Sequence, residues 1–167
     1  MVILGIDPGY AIVGFGVLET VKNDFRVLGF GAITTDADTP FEERLKIIYD
    51  DVSEIINIYK PDCIAIEKLF FNTNQKTVIN VAQARGVTIL PAVQSGIPIY
   101  EYTPLQVKVS VTGFGRADKK QVQEMARRTL SLKEVPKPDD TADALAIAIT
   151  HGRTARSLSF YSNQISK

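Results

Sequence analysis

Val2-Ile-Leu-Gly-Ile-Asp7 followed by Pro8-Gly9 is the stretch from which the rest of the chain can be read. A short apolar run stops at an aspartate and a Pro-Gly turn signal, so a strand ends on a carboxylate. Working outward, residues 13–20 and 25–34 read as two more strands joined by Lys22-Asn23-Asp24. Three strands with short connections make an antiparallel meander. Thr39-Pro40 then opens a helix to about Tyr59, with Thr39 as its cap and Glu42 and Glu43 in the first turn. Cys63-Ile-Ala-Ile-Glu67 is apolar without alternation, the mark of a strand buried on both faces and paired in parallel. It too ends on a carboxylate. A helix over 74–93 is apolar around much of its circumference and contains Pro91, which predicts a kink near its end. A fifth strand (97–102) and helices near 104–112, 119–132 and 140–153 complete the order, with 154–167 read as a frayed tail. The order βββαβαβα, with strands one, four and five parallel, describes a single α/β domain with a five-stranded mixed sheet and helices on both faces.

Composition narrows the functional classes. The chain has 167 residues, 45% hydrophobic and 23% charged, which excludes general disorder. No apolar run reaches the roughly 18 residues of a membrane span. The N-terminus lacks a signal-peptide pattern, and the single Cys63 leaves no intrachain disulfide, so the expectation is a cytoplasmic protein without membrane partners. Cys63 itself reads as a buried packing residue, and His151 as a cation near a helix C-terminus. The net charge of zero hides an asymmetry. Residues 1–67 hold five basic and twelve acidic side chains, and residues 68–133 hold ten basic and three acidic. A neutral chain can therefore present a basic surface to a polyanion.

Four acids stand out. Asp7 and Glu67 end neighbouring parallel strands, where open α/β sheets place their sites. Asp140 and Asp143 are three apart at the start of the last helix and share a face that Ile147 continues inward. Converging carboxylates repel one another, and a hard divalent cation with oxygen ligands relieves that repulsion. Singly, each acid has an ordinary explanation: a turn for Asp7, a cap for Asp140 or Asp139, an ion pair for Glu67. Jointly they favour a metal site suited to in-line displacement at a phosphodiester.

The motifs Ile3-Leu-Gly-Ile-Asp-Pro-Gly9, Ala65-Ile-Glu67, Gln83-Ala-Arg-Gly-Val87 and Asp140-Thr-Ala-Asp-Ala-Leu-Ala-Ile-Ala148 with His151, in this order, carry a resemblance. The chain resembles the RuvC family of Holliday junction endonucleases, which have a ribonuclease H-like fold, over nearly its whole length to about Thr154. The resemblance implies a nuclease domain over residues 1–154 with a flexible tail over 155–167. It implies a structure-selective endonuclease that resolves four-way DNA junctions in recombination and repair by paired symmetric nicks. Asp7, Glu67, Asp140 and Asp143 match the family's metal ligands, implying two Mg²⁺ ions, for which Mn²⁺ can substitute. Some members carry histidine at the position of Asp140, and Asp139 beside it leaves the choice between the two neighbours to geometry. Phe70 matches the exposed aromatic that meets bases at the junction, and Lys108 and Lys119 match basic positions near the scissile phosphate. Implied partners are junction DNA, a second copy of the chain, and the RuvA and RuvB branch-migration proteins.

Independent physics supports part of this. Asp118 can cap a helix with Gln121 three residues inside, yet Lys119 and Lys120 occupy its first turn, against the dipole. Such an N-terminus suits phosphate, and Gly113-Phe-Gly-Arg116 adds a basic loop before it. The helix at 74–93 shows two apolar faces, one spare for a twofold partner across Ala82 and Gly86. Three other readings compete. The Gly-Ile-Asp-Pro-Gly loop is similar to that of actin-like kinases, but only one lobe is present. An RNA-processing nuclease of the same fold is nearer, although those chains are shorter and the Lys108–Lys120 region favours the resolvase. A non-catalytic junction-binding protein would not need a complete acidic set.

Overall fold

The structure, a computed structural model, describes residues 1–69 and 75–165, with side-chain surroundings for 1–69 and 78–157. Strands β1 (Val2–Asp7), β2 (Ile12–Val21) and β3 (Asp24–Thr34) form the antiparallel meander. Helix α1 (Phe41–Tyr59) leads to β4 (Cys63–Glu67), then α2 (Gln75–Gln94) to β5 (Ile99–Tyr102). Helices α3 (Pro104–Thr112), α4 (Lys119–Thr129) and α5 (Asp139–Ile165) close the order. The sheet runs β3-β2-β1-β4-β5, with β4 parallel to both β1 and β5. This is the mixed sheet expected of the ribonuclease H-like fold.

Alternation along β1 explains why one short run organises two cores. Ile3 points into a cluster with Cys63, Ala65, Val107, Val122 and Leu145, beneath α3, α4 and α5. Leu4 and Ile6 point the other way, into a cluster with Ile64, Ile66, Ile48, Val52 and Ala84 beneath α1 and α2. Both faces of β1 and β4 are covered, so Cys63 is a buried, free packing residue as the apolar run predicts. Among the described residues no helix is long and apolar enough to cross a membrane.

Three local expectations change. Thr39 does not cap α1: Pro40 is the boundary residue, without a side-chain cap, and its carbonyl accepts the N–H groups of Glu43 and Arg44, both at 3.0 Å. The Thr39 N–H is spent in the preceding turn on the Asp36 carbonyl, which leaves Thr39 outside the helix. Second, α5 does not stop at 153 but runs on to Ile165. Residues 154–165 contain neither proline nor glycine, so nothing in the backbone ends the helix there. Third, His151 is consequently mid-helix and buried, not a terminal cation. Its Nδ1 lies 2.8 Å from the Tyr102 hydroxyl, Tyr100 stacks on its ring, and burial lowers its pKa.

Helix α2 packs on α1 through Ala84, Thr88 and Ala92 and continues through Pro91 to Gln94. Its opposite side leaves Ile79, Leu90 and Val93 exposed, and nothing lies within 4 Å of where a side chain on Gly86 would begin.

Candidate active site

Asp7 and Glu67 are brought level by the register of β1 and β4. Asp62 ties the two strands at their start: its Oδ2 accepts the Val2 N–H at 2.6 Å and its own N–H donates to the Val2 carbonyl at 2.9 Å. Ile3 then pairs with Cys63 and Ile6 with Ile66, so the next residue on each strand is an acid. Alternation aims both toward α5, the side that Ile3, Cys63 and Ala65 face. The turn after Asp7 is braced by the buried Arg44, whose guanidinium donates to the Tyr10 carbonyl at 3.2 Å and to the Thr35 hydroxyl at 2.8 Å.

Helix α5 delivers the other two acids because the sheet beneath it is bare. Gly14 pairs with Asp7 across β1 and β2, and a methyl group on Gly14 would collide with the Asp140 carbonyl. At Gly5, two residues before Asp7, a methyl group would strike the Ala144 carbonyl and Ala148. The helix backbone therefore rests directly on the strands and starts over the strand ends. Thr141 fixes the approach by donating its hydroxyl to the Gly31 carbonyl at 3.1 Å.

The electrostatics follow from that convergence. Burial pushes the Asp7 carboxyl up to about 8, and Glu67, Asp143 and Asp140 each add to the push. Glu67 is raised as well, by burial and then by Asp143. Lys119 opposes both shifts. Its Nζ sits 2.8 Å from Asp143 Oδ2; burial disfavours the ammonium, but the hydrogen bond and charge of Asp143 raise its pKa overall. Asp139 behaves differently. It turns outward to Lys137, Nζ to Oδ1 2.5 Å, and that hydrogen bond lowers its pKa. Asp140, not Asp139, is the neighbour that acts on Asp7.

Among the described residues no three acidic, histidine or cysteine side chains lie close enough to cage one ion. The four acids instead stand within range of mutual repulsion, and the cation touching them is Lys119. Four crowded, partly buried carboxylates, with Asp7 and Glu67 raised by burial and a lysine standing against Asp143, are a donor set that suits a hard divalent cation.

A cavity of about 160 Å³ joins Glu67, Asp143, Lys108 and Lys119 between α3, α4 and α5. Lys120 is not part of it; it lines a separate groove with Phe114, Gln121 and Met125. Arg116 is exposed on the loop between α3 and α4. Phe70 lies outside the described residues. The α4 N-terminus is built as expected: Asp118 Oδ1 accepts the Gln121 N–H at 2.8 Å and Gln121 returns the bond at 2.9 Å. Sequence reasoning passed over Gln123, a buried α4 side chain whose Nε2 lies 3.2 Å from Asp143 Oδ1. Its place one turn after Lys119 was the available signal.

A family model described as crossover junction endodeoxyribonuclease RuvC matches residues 3–151. A crossover junction endodeoxyribonuclease RuvC of Ruminiclostridium cellulolyticum is 54% identical over 156 residues, 93% of this chain and 94% of its own. That of Halothermothrix orenii is 56% identical over the same length, again covering 93% of this chain and 94% of its own. Among solved structures, Thermus thermophilus RuvC in complex with a Holliday junction substrate superposes with a TM-score of 0.86 at 35% identity, covering 94% of this chain and 96% of that one.

Proposed function

The chain belongs to the RuvC family of crossover junction endodeoxyribonucleases, and from that membership we propose how its own residues carry the family's reaction. It is a Holliday junction resolvase, a metal-dependent nuclease that cuts four-way DNA in recombination and repair. The observation that carries the assignment of the site is the convergence of Glu67, Asp143 and Asp140 on Asp7, with Lys119 paired to Asp143 as the counter-ion.

Asp7, Glu67, Asp140 and Asp143 would hold divalent cations, two Mg²⁺ with Mn²⁺ as substitute. Bound there, the ions would supply a nucleophile from water and neutralise charge on the attacking and leaving oxygens. The chain's own residues do the rest. Lys108 and Lys119 present ammonium groups to the scissile phosphate from the cavity wall. Lys120 and Arg116 hold flanking phosphates, and Phe70 meets bases at the junction. Affinity comes mainly from these basic contacts, which the phosphate backbone rewards by counterion release.

Residues 1–154 form the nuclease domain in this reading. The chain works in the cytoplasm as a homodimer built on the exposed face of α2, so that two identical sites meet two strands of like polarity. RuvA and RuvB are its partners on the junction. The test is a synthetic four-way junction incubated with Mg²⁺, with products mapped on both strands. Paired nicks at symmetry-related positions, lost on chelation, are expected. Cleavage of structured RNA with an intact junction would overturn the reading in favour of an RNA-processing nuclease.

A further inference from the structure

Helix α4 meets the acidic cleft with two side chains one turn apart. Lys119 and Gln123 stand at i and i+4 and so share a face. Each takes a different oxygen of Asp143: Lys119 Nζ lies 2.8 Å from Oδ2, and Gln123 Nε2 lies 3.2 Å from Oδ1. The same amide reaches the Asp139 carbonyl at 3.5 Å, so it spans the first turn of α5. The two donors differ in surroundings. Gln123 is 5% exposed, whereas the Lys119 side chain is 56% exposed. A buried amide that loses its acceptor stays unsatisfied, so it holds its place. An exposed ammonium exchanges its carboxylate for water at little cost.

We propose that α4 controls Asp143 with these unequal contacts: Gln123 is a positioning residue that aims the carboxylate through Oδ1, and Lys119 is an exchangeable counter-ion that occupies Oδ2 until a divalent cation takes it. The proposal rests on the reading of Asp143 as a metal ligand. Two consequences follow from geometry. The arriving cation competes with Lys119 for one oxygen while Gln123 keeps the other, so the carboxylate need not reorient. The displaced ammonium, on a helix N-terminus in the same cavity as Lys108, becomes available to phosphate only where metal has entered. An empty site is thereby held with its charge partly neutralised, because the Lys119 ammonium sits 2.8 Å from Asp143 Oδ2.

The experiment is Mn²⁺ binding to the full chain without DNA, followed by the electron paramagnetic resonance of the free ion. Lys119→Met removes the competitor and should tighten Mn²⁺ several-fold, although the same change slows cleavage. Gln123→Met keeps volume but removes the donor, and should weaken Mn²⁺ by about 10–100-fold, the usual effect of losing an outer-shell partner. Excess Mn²⁺ should restore junction cleavage to Gln123→Met and not to Lys119→Met. A purely structural role for either residue would not move affinity in opposite directions. Should Gln123→Met fail to fold, Gln123→Asn, whose amide falls one methylene short of Asp143, must show the same weakening. Unchanged affinity in both variants, or a shift of the same sign, overturns the proposal. Asp143→Asn separates it from its premise: if that variant binds Mn²⁺ like the wild type, the metal-ligand reading itself is wrong.

Discussion

Asp139 and Asp140 are neighbours in sequence with different surroundings. Asp139 is held outward by Lys137, and Asp140 adds its charge to the group around Asp7. Asp140→Asn should therefore lower junction cleavage by more than the roughly 10–100-fold of an outer-shell change, while Asp139→Asn stays near wild type. Single-turnover cleavage rates check this, and the reverse ranking would mean that the outward acid is the one in use. Asp7 gives a second expectation in the metal-free protein. Its carboxyl is raised from 3.8 to about 8 on folding, so between those values the folded state keeps a proton that the unfolded state has lost. Stability then falls as pH rises through that window and levels off above about 8. Asp7→Asn removes the effect. It should raise the melting temperature of the metal-free protein by several degrees at pH 8.5, with the gain fading toward pH 4. A gain independent of pH would assign the stabilisation to something other than charge.

At the scale of elements, the site depends on how closely α5 lies on β1 and β2. Gly14→Ala places a methyl group against the Asp140 carbonyl and should cost about 1–3 kcal/mol by overpacking, read from urea unfolding. Cleavage should fall further than the lost stability explains, because the helix start carries two of the four acids. Helix α2 gives the other test at this scale. Ala82→Glu or Gly86→Glu puts a charge on its exposed face, where it disturbs no packing within the chain. Sedimentation should show a monomer, with paired incision lost and the circular dichroism unchanged. Much of this architecture was legible in the chain: the unalternating runs at 2–7 and 63–67 announced buried parallel strands, and their terminal acids marked a candidate site. What was not legible depended on contacts between distant segments. The helical register of α5 was clear, but its length was not, because a polar composition over 154–165 reads as a tail although no residue there breaks a helix. His151 was misread for the same reason. The bare glycines at 5 and 14 make sense only once α5 is laid across them, and Arg44 only once the turn at Tyr10 comes within its reach.

At the scale of the whole molecule, the charge asymmetry survives folding. Among the described residues Lys68, Lys108, Arg116, Lys120 and Lys133 have no carboxylate within 4.0 Å, so the basic middle of the chain is not neutralised by the acidic first part. The four site acids gather at the ends of β1 and β4 and the start of α5, while the free cations lie on α3, α4 and their loops and, at Lys68, just past β4, an arrangement that would separate cutting from holding. Glu67→Gln tests that division because Glu67 faces the cavity shared with Lys108 and Lys119. The measurement is junction affinity and junction cleavage on the same preparation, in Mg²⁺, beside the wild type. Wild-type affinity within a factor of about two and no detectable incision are expected, since binding rests on phosphate contacts that Glu67 does not make. Wild-type incision, or loss of binding and incision together in a folded variant, would overturn the division of labour between acids and cations.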